Sequence, residues 1–157
     1  MVLKKNNLNK GLVFEESNVF LKWGSCIDSH LRKNECKKEI LTDNTVYFWG
    51  KRKIFNGLEL PFSTDFSNNG IKRWFRLVNR LEYKVVGDEM AKTEFRKISN
   101  HLIENLGEPK IKEESIDLNE SYLEWRIDKV CISLYLFEQH CYKLHFLIKK
   151  DYKRAIT

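Results

Sequence analysis

Residues that break or cross-link a chain are scarce in this sequence: its 157 residues include two prolines, seven glycines and four cysteines. So little proline and glycine argues against long flexible linkers, and the length suits one domain with one core, which we assign to residues 1–157. No apolar run approaches the roughly 20 residues that cross a bilayer, and the stretch MVLKKNNLNKGLVF lacks the apolar segment of a signal peptide. We therefore expect a cytoplasmic protein that keeps its thiols reduced and makes no membrane contact.

Catalytic motifs are scarce as well. The sequence contains neither a Gly-rich phosphate loop nor a Gly-X-Ser-X-Gly nucleophile elbow. The acids Glu15 and Glu16 are adjacent, as are Glu113 and Glu114, and neighbours on a strand point to opposite faces. They therefore do not form an acid–base couple, and we expect a protein without enzymatic activity, cofactor or metal.

Six of the eight cysteines and histidines fall in two stretches, residues 20–40 and 140–145. Neither stretch has the Cys-X2-Cys or His-X3-His spacing that is typical of a zinc site. Cys26 falls near the start of a predicted helix and His30 lies one turn later, so a thiol enzyme built on Cys26 is a third hypothesis for the function. The simpler interpretation is a packed, capped helix, with Ser25 as its N-cap.

Charge is plentiful but mixed in sign, with 28 Lys and Arg against 22 Asp and Glu and a net charge of +6. A solvated surface of mixed sign is the simpler interpretation of this pattern. The alternative function is an RNA- or DNA-binding module that uses a basic strand face. Its candidate residues are Arg52, Lys53, Arg76, Arg80 and Lys84.

The clearest element is a helix over residues 88–106. Asp88 is the expected N-cap, and Gly107 followed by Pro109 is a typical helix end. Apolar residues recur at spacings of three and four along the helix and so share one face. They are Ala91, Phe95, Ile98, Leu102 and Leu106.

After this helix, the segments YLEWRI, VCISLYLF and YKLHFLI alternate between apolar and polar residues and predict an antiparallel meander. A two-residue turn between the first two places Trp125 opposite Ile132. A three-residue turn at residues 138–140 would place Leu136 opposite Tyr142. Both registers put the alternating apolar sets of the three segments on one face.

The other face of this meander would carry Tyr, Arg and His among small polar residues, a composition typical of protein-binding patches. A plain solvated sheet face is the alternative interpretation. The predicted partner-binding residues are Glu124, Arg126, Ser133, Tyr135, Lys143 and His145.

The first half of the chain has a similar but looser pattern. A short helix is predicted over residues 26–34, followed by the strands EILT, TVYFW, RKIF and LELPF. Asn56-Gly57 is a strong hairpin signal, and Pro61 indicates an edge strand or the end of a strand. Residues 71–86 fit both a helix and a strand, and their longer alternation favours the strand.

Helices grouped on one face of an antiparallel sheet define an α+β protein. We expect an antiparallel sheet with a short N-terminal helix and one long central helix packed on one face. The elements form two pseudo-repeats of a helix followed by strands, over residues 18–86 and 88–150. A basic tail follows at residues 151–157.

This plan resembles a known family. The stretch FLKWGSCID precedes the short helix, and LIENLGEP ends the long one before the strand LEWRI, as in small bacterial α+β proteins. A helix followed by strands, present twice, resembles the tandem repeats of the beta-lactamase inhibitor protein fold. Small proteins of this kind include immunity proteins, which neutralise toxins delivered by neighbouring bacteria.

The resemblance implies a bacterial protein that belongs to a toxin–immunity pair, a system comparable to a toxin–antitoxin pair. Its partner would be a cognate toxin domain. The resemblance assigns no functional residues to this sequence. Immunity proteins against nucleases are often acidic, whereas this chain is basic. We therefore expect the contact surface of the toxin to be neutral or acidic, or the contact to be local.

Overall fold

The computed structural model describes residues 8–69, 76–115 and 119–151. In chain order the elements are strands β1 (Gly11–Phe14) and β2 (Val19–Lys22), helix α1 (Asp28–Arg32), strands β3 (Lys37–Ile40), β4 (Asn44–Ile54), β5 (Leu58–Ser67) and β6 (Arg80–Val86), helix α2 (Asp88–Leu106), and strands β7 (Ile111–Glu114), β8 (Ser121–Ile127), β9 (Val130–Gln139) and β10 (Cys141–Lys150). Strands β1 and β2 form a hairpin. The others form one eight-stranded sheet in the spatial order β3-β4-β5-β6-β10-β9-β8-β7.

Two meanders build this sheet, β3 to β6 and β7 to β10, and they meet where β6 pairs antiparallel with β10. The predicted α+β class with an antiparallel sheet is confirmed, although the protein is mostly sheet. The predicted pseudo-repeats are not supported at the level of their helices, because α1 has five residues and α2 has nineteen.

Helix α2 has the predicted bounds, and its buried residues Ala91, Phe95, Ile98 and Leu102 form the predicted face. It packs on β6, β9 and β10. The prediction of Asp88 as the N-cap is wrong, since Gly87 holds that position and the Asp88 carboxylate accepts a hydrogen bond from the Tyr142 backbone N–H at 2.8 Å. The carboxylate therefore ties the helix start to β10. Gly107 ends the helix with a φ of 87°, a conformation that favours glycine.

Helix α1 is shorter than predicted, and Ser25 does not cap it. The Ser25 hydroxyl instead donates to the Lys22 carbonyl oxygen at 2.7 Å, and Ile27 occupies the N-cap position without a side-chain hydrogen bond. Ile27 is fully buried and Leu31 is half-buried. With few apolar residues to bury, a helix over the whole of residues 26–34 would gain little from packing.

The register of the second meander is confirmed between β8 and β9 and wrong between β9 and β10. The β9–β10 turn is tighter than predicted, because His140, with a φ of 67°, alone separates the two strands. As a result Leu136 lies opposite Leu144 rather than Tyr142. The shift is two residues, so every side chain keeps its predicted face.

In the first meander the predicted hairpin at Asn56-Gly57 is present. Ile54 pairs with Leu58 across three residues with positive φ, namely Phe55, Asn56 and Gly57. Strand β4 is continuous where two strands were predicted, and its register shifts at a bulge. The bulge bends β4 without ending it.

The prediction that Pro61 marks an edge or the end of a strand is wrong. Strand β5 continues to Ser67 and lies between β4 and β6. The described ladder between β5 and β6 contains one residue pair, Ser63 with Glu82. Because pairing with β6 is so sparse there, a residue without a backbone N–H is tolerated.

The ambiguous stretch at residues 71–86 is a strand from Arg80 onward, and residues 71–75 lie outside the described residues. Val78, just before the strand, is fully buried. Its backbone exchanges hydrogen bonds with the loop before α1, donating to the Ser25 carbonyl at 2.8 Å.

The β1–β2 hairpin and both helices cover the same face of the sheet. The Phe14 ring stacks on Phe62, whose ring contacts Phe146 of β10 among the residues under α2. The Tyr47 hydroxyl donates to Asp28 of α1 at 2.6 Å. The buried apolar residues of both meanders, the hairpin and α2 form one core cluster on this covered face.

Gly11 allows the two hairpin strands to approach closely. A Cβ at this position would lie 2.2 Å from the Leu21 carbonyl oxygen. Any side chain at Gly11 would therefore push β1 away from β2.

Candidate functional site

The second face of the sheet is covered by neither the helices nor the hairpin of the described part of the chain, and we call it the open face. One row of paired residues can be followed across all eight of its strands. In spatial order the row is Lys37, Phe48, Ser63, Glu82, Leu147, Ser133, Glu124 and Ile111.

All six residues of the predicted partner-binding surface lie on the open face, in β8, β9 and β10. Glu124 pairs with Ser133, and Tyr135 pairs with His145. Arg126 and Lys143 occupy the neighbouring positions of the same face. The alternation in the sequence was sufficient to find this set, and its role in binding stays a prediction.

Glu124 is the most tightly held group of this set, being only 6% exposed. Its carboxylate accepts hydrogen bonds from the Tyr122 hydroxyl at 2.7 Å, from Arg126 Nε at 3.1 Å and from Cys131 Sγ at 3.3 Å. Burial alone would raise the pKa of Glu124, but these hydrogen bonds outweigh it and hold the pKa below the ordinary value. The Arg126 guanidinium also donates to Asp151 at 3.3 Å, so its position is fixed on two sides.

Three aromatic side chains form a cluster beside Glu124. Tyr135 stacks on Phe137 with ring centroids 4.7 Å apart, and Tyr122 meets Tyr135 edge to face at 5.9 Å. The Tyr135 hydroxyl donates to the Glu120 carboxylate. All three rings are half-buried, so they are held in place while part of each surface remains available for contact.

A second ionic cluster on the open face contains Arg80 and Lys84 of the nucleic-acid alternative, together with acidic residues that were not predicted as site residues. Glu82 is 3% exposed, with Arg80 Nε 3.2 Å from Oε1 and Lys84 Nζ 3.4 Å from Oε2. The same Lys84 ammonium lies 3.9 Å from Asp65 Oδ2 in β5. The alternation Arg80-Glu82-Lys84 is visible in the sequence, but the approach of Asp65 depends on strand pairing that the sequence does not reveal.

The residues of the nucleic-acid alternative are divided between the two faces. Arg52 lies on the covered face, with its guanidinium 5.1 Å from the centre of the Phe14 ring and Nη2 donating to the Glu35 carbonyl at 3.0 Å. Arg76 donates to the Thr45 hydroxyl at 3.2 Å. Arg52 and Arg76 therefore contribute to packing, and among the described residues no continuous basic strand face unites them with Arg80 and Lys84.

Lys53, the remaining member, is on the open face and lies 3.9 Å from Glu59. Like Arg80 and Lys84, it therefore has an acidic neighbour. An interface for a polyanion needs a surplus of basic groups, whereas the positive charges of these three residues are largely balanced by acidic neighbours.

The two residues of the thiol hypothesis lie in different surroundings. Cys26 is exposed, whereas His30 is buried, pairs through Nδ1 with the Glu35 carboxylate and packs edge-on against Trp49. Burial raises the pKa of Cys36 to about 11, as it does for Cys131. Within residues 8–69, 76–115 and 119–151, no group of three His, Cys, Asp or Glu side chains could hold a metal ion.

His145 lies between the two clusters of the open face, opposite Lys84 on one side and Tyr135 on the other. Its Nε2 is buried and has no hydrogen-bond partner among the described residues. Burial lowers the pKa of His145; Lys84 and Arg80 lower it further, and Glu82 opposes them. The imidazole is therefore held neutral in the folded protein at neutral pH.

Because the pKa of His145 is lower in the folded than in the unfolded state, the unfolded state binds the proton more readily. We expect the free energy of unfolding to fall as the pH drops below the ordinary value of 6.5, with a slope of at most about 1.4 kcal/mol per pH unit. Urea unfolding at a series of pH values measures this loss. His145→Gln should remove it, while the loss due to Glu124 appears only below its ordinary value of 4.5.

His140→Asn is the matched control for this measurement, because His140 is exposed and asparagine tolerates its positive φ. The control should keep the wild-type pH dependence. An unchanged slope between pH 6.5 and the carboxylate range in His145→Gln would show that His145 is not responsible.

Comparison with known proteins adds no relative: no family model, curated protein or solved structure matches the chain. The fold and the open face therefore define the class, an α+β protein whose eight-stranded antiparallel sheet is covered on one side by the described helices and hairpin. None of the described helices has the length and apolar character needed to cross a membrane.

Proposed function

We propose that the protein is a non-enzymatic binding protein that docks a protein partner on the open face of its sheet. One observation carries the proposal: the six predicted partner-binding residues lie together on the open face, which the described helices and hairpin leave uncovered, beside a packed aromatic cluster. Tyrosine and arginine are the residues that most often dominate binding energy at protein interfaces. Side chains fixed before binding lose less conformational entropy on association.

The partner that we propose is a toxin domain, and the protein is then its immunity protein in the bacterial cytoplasm. This finer assignment is supported by the resemblance in plan to small inhibitory α+β proteins. It is also supported by the rigidity of the open face, where Glu124 and Arg126 are held by several hydrogen bonds. A rigid surface that occludes an active site needs no chemistry of its own.

Calorimetric titration with the toxin domain encoded by the neighbouring gene tests the proposal. We expect a one-to-one complex with a dissociation constant of about 10⁻⁹ M or tighter, as in tight inhibitory complexes of standard interface size. A toxin domain from another locus, with the same fold but a different sequence, is the control and should not bind. Absence of binding to a folded, active toxin domain contradicts the assignment.

The same preparation should be titrated with single-stranded RNA and duplex DNA. The alternative function predicts an affinity that falls steeply between about 50 and 200 mM salt. Binding of this kind, without a toxin complex, would favour the nucleic-acid module over the proposed function.

A further inference from the structure

The Asp65–Glu82 carboxylate pair is the least satisfied polar group of the open face. Glu82 Oε2 and Asp65 Oδ1 are both buried and accept no hydrogen bond from the described residues. The other Asp65 oxygen, Oδ2, accepts one from the Asn44 amide at 3.2 Å. Buried oxygens without a hydrogen-bond donor are rare in folded proteins. A new hydrogen bond from any donor that can reach such a carboxylate is therefore energetically favourable.

Lys84 is the group that partly covers both acids. Its ammonium lies 3.4 Å from Glu82 Oε2 and 3.9 Å from Asp65 Oδ2, distances beyond those of good hydrogen bonds. Its side chain is 53% exposed. The lysine is thus free to swing into solvent, but because Glu82 is buried it leaves at low cost only when another cation takes its place.

A guanidinium group matches this position better than the ammonium. It presents several N–H donors in one plane and can hydrogen-bond two carboxylates at once. The two acids are close enough for this, since a single ammonium group lies within 4 Å of both. Replacing the Lys84 charge with an arriving positive charge also preserves the balance of Asp65 and Glu82 against Arg80.

We propose that the Asp65–Glu82 pair receives an arginine side chain of the partner, which displaces Lys84 and supplies the missing hydrogen bonds. The inference rests on the proposed function, because it names the chemistry of the partner that docks on the open face. It also explains how a chain of net charge +6 can bind a basic surface. The contact is local, made by two acids held in a mixed-sign cluster.

Titration of the isotope-labelled protein with N-acetylarginine amide tests this site without the partner. We expect saturable shifts of the backbone amides of β5 and β6, with an affinity of about millimolar. Glu82→Gln and Asp65→Asn should each weaken binding about tenfold, because each substitution keeps the shape of the side chain but removes the negative charge of the acceptor. N-acetyllysine amide, at the same ionic strength, should bind more weakly than the arginine amide.

Lys84→Ala is the sharper variant, because it removes the competing cation and leaves both acids in place. It should strengthen arginine binding about two- to fivefold, which corresponds to the loss of a weak ion pair. Lys53→Ala is the matched control, since Lys53 lies on the same face with 47% exposure and a 3.9 Å contact to Glu59. Its affinity for arginine should equal that of the wild type.

Two results would overturn the inference: no saturable shift in β5 and β6, or equal arginine affinities of the Lys84→Ala and Lys53→Ala proteins. Neither result bears on whether a toxin binds, which calorimetry measures separately. Conversely, a toxin complex whose affinity is unchanged by Glu82→Gln and Asp65→Asn would leave the proposed function standing and remove only the arginine contact.

Discussion

Replacing Arg126 and Tyr135 together by alanine is expected to weaken the complex with the toxin domain by several kcal/mol. Each residue is of a type that commonly contributes about 2 kcal/mol or more at the centre of an interface. Both side chains are already fixed, Arg126 by Glu124 and Asp151 and Tyr135 by its stacking on Phe137. Their contacts with a partner therefore form with little loss of side-chain entropy, and calorimetry of the double variant measures the change.

The substitutions should leave the protein folded. Without Arg126, the Glu124 carboxylate still accepts hydrogen bonds from Tyr122 and Cys131. The double variant loses three hydrogen bonds, from Arg126 to Glu124 and Asp151 and from Tyr135 to Glu120. The loss at buried Glu124 costs about 3 kcal/mol and the losses at the two more accessible acids about 1 kcal/mol or less each. Together they remain below the total stability of a typical domain. Thermal unfolding of the double variant should therefore remain cooperative, at a reduced midpoint.

Arg96→Ala is the control for the loss of a positive charge, because Arg96 is exposed on α2, a helix that packs against the covered face. Its complex should have the wild-type affinity. If the double variant binds the toxin domain as tightly as Arg96→Ala does, the aromatic half of the open face is not the interface. The proposed binding function would then have to use another surface.

The face of each C-terminal residue could be predicted from sequence because a strand has a period of two. A register shift of two residues leaves Tyr135 and His145 on the open face. The wrong prediction of the β9–β10 turn therefore did not change the predicted surface. Helix α2 was equally predictable from sequence, since its apolar spacing and Gly107 are both local signals. Local patterns therefore predicted one helix and half of the candidate site.

Features that depend on distant pairing could not be predicted in this way. Asp65 and Glu82 approach each other because β5 pairs with β6 at Ser63 and Glu82, and Asp65 follows Ser63 by two residues on the same face. Nothing in the neighbourhood of either acid indicates that contact. Val78 shows the same limit, because its burial depends on backbone hydrogen bonds with a loop more than 50 residues earlier in the chain. The unpredicted half of the site is the half made by non-local contacts.

Phe14→Ala is expected to reduce the free energy of unfolding by about 3–5 kcal/mol, the usual cost of removing a fully buried aromatic ring. Phe14 has no exposed surface and joins the hairpin to the sheet, with its ring 5.9 Å from Trp49 and 6.4 Å from Phe62 between centroids. The neighbouring Glu15 carboxylate reinforces this junction by accepting the Gly57 N–H at 2.7 Å. Urea unfolding monitored by tryptophan fluorescence measures the loss, since Trp49 is in direct contact.

Phe20→Ala makes the same chemical change on the outer side of the same hairpin, where Phe20 is 43% exposed. It should cost well under half as much, about 1 kcal/mol or less, because little buried volume is removed. Equal losses in the two variants would mean that the hairpin does not pack on the sheet through Phe14. Since Phe14 lies on the covered face, Phe14→Ala should also leave toxin affinity unchanged wherever the variant is folded. Stability would then depend on the covered face and toxin affinity on the open face. A protein that binds through its open sheet face requires this arrangement.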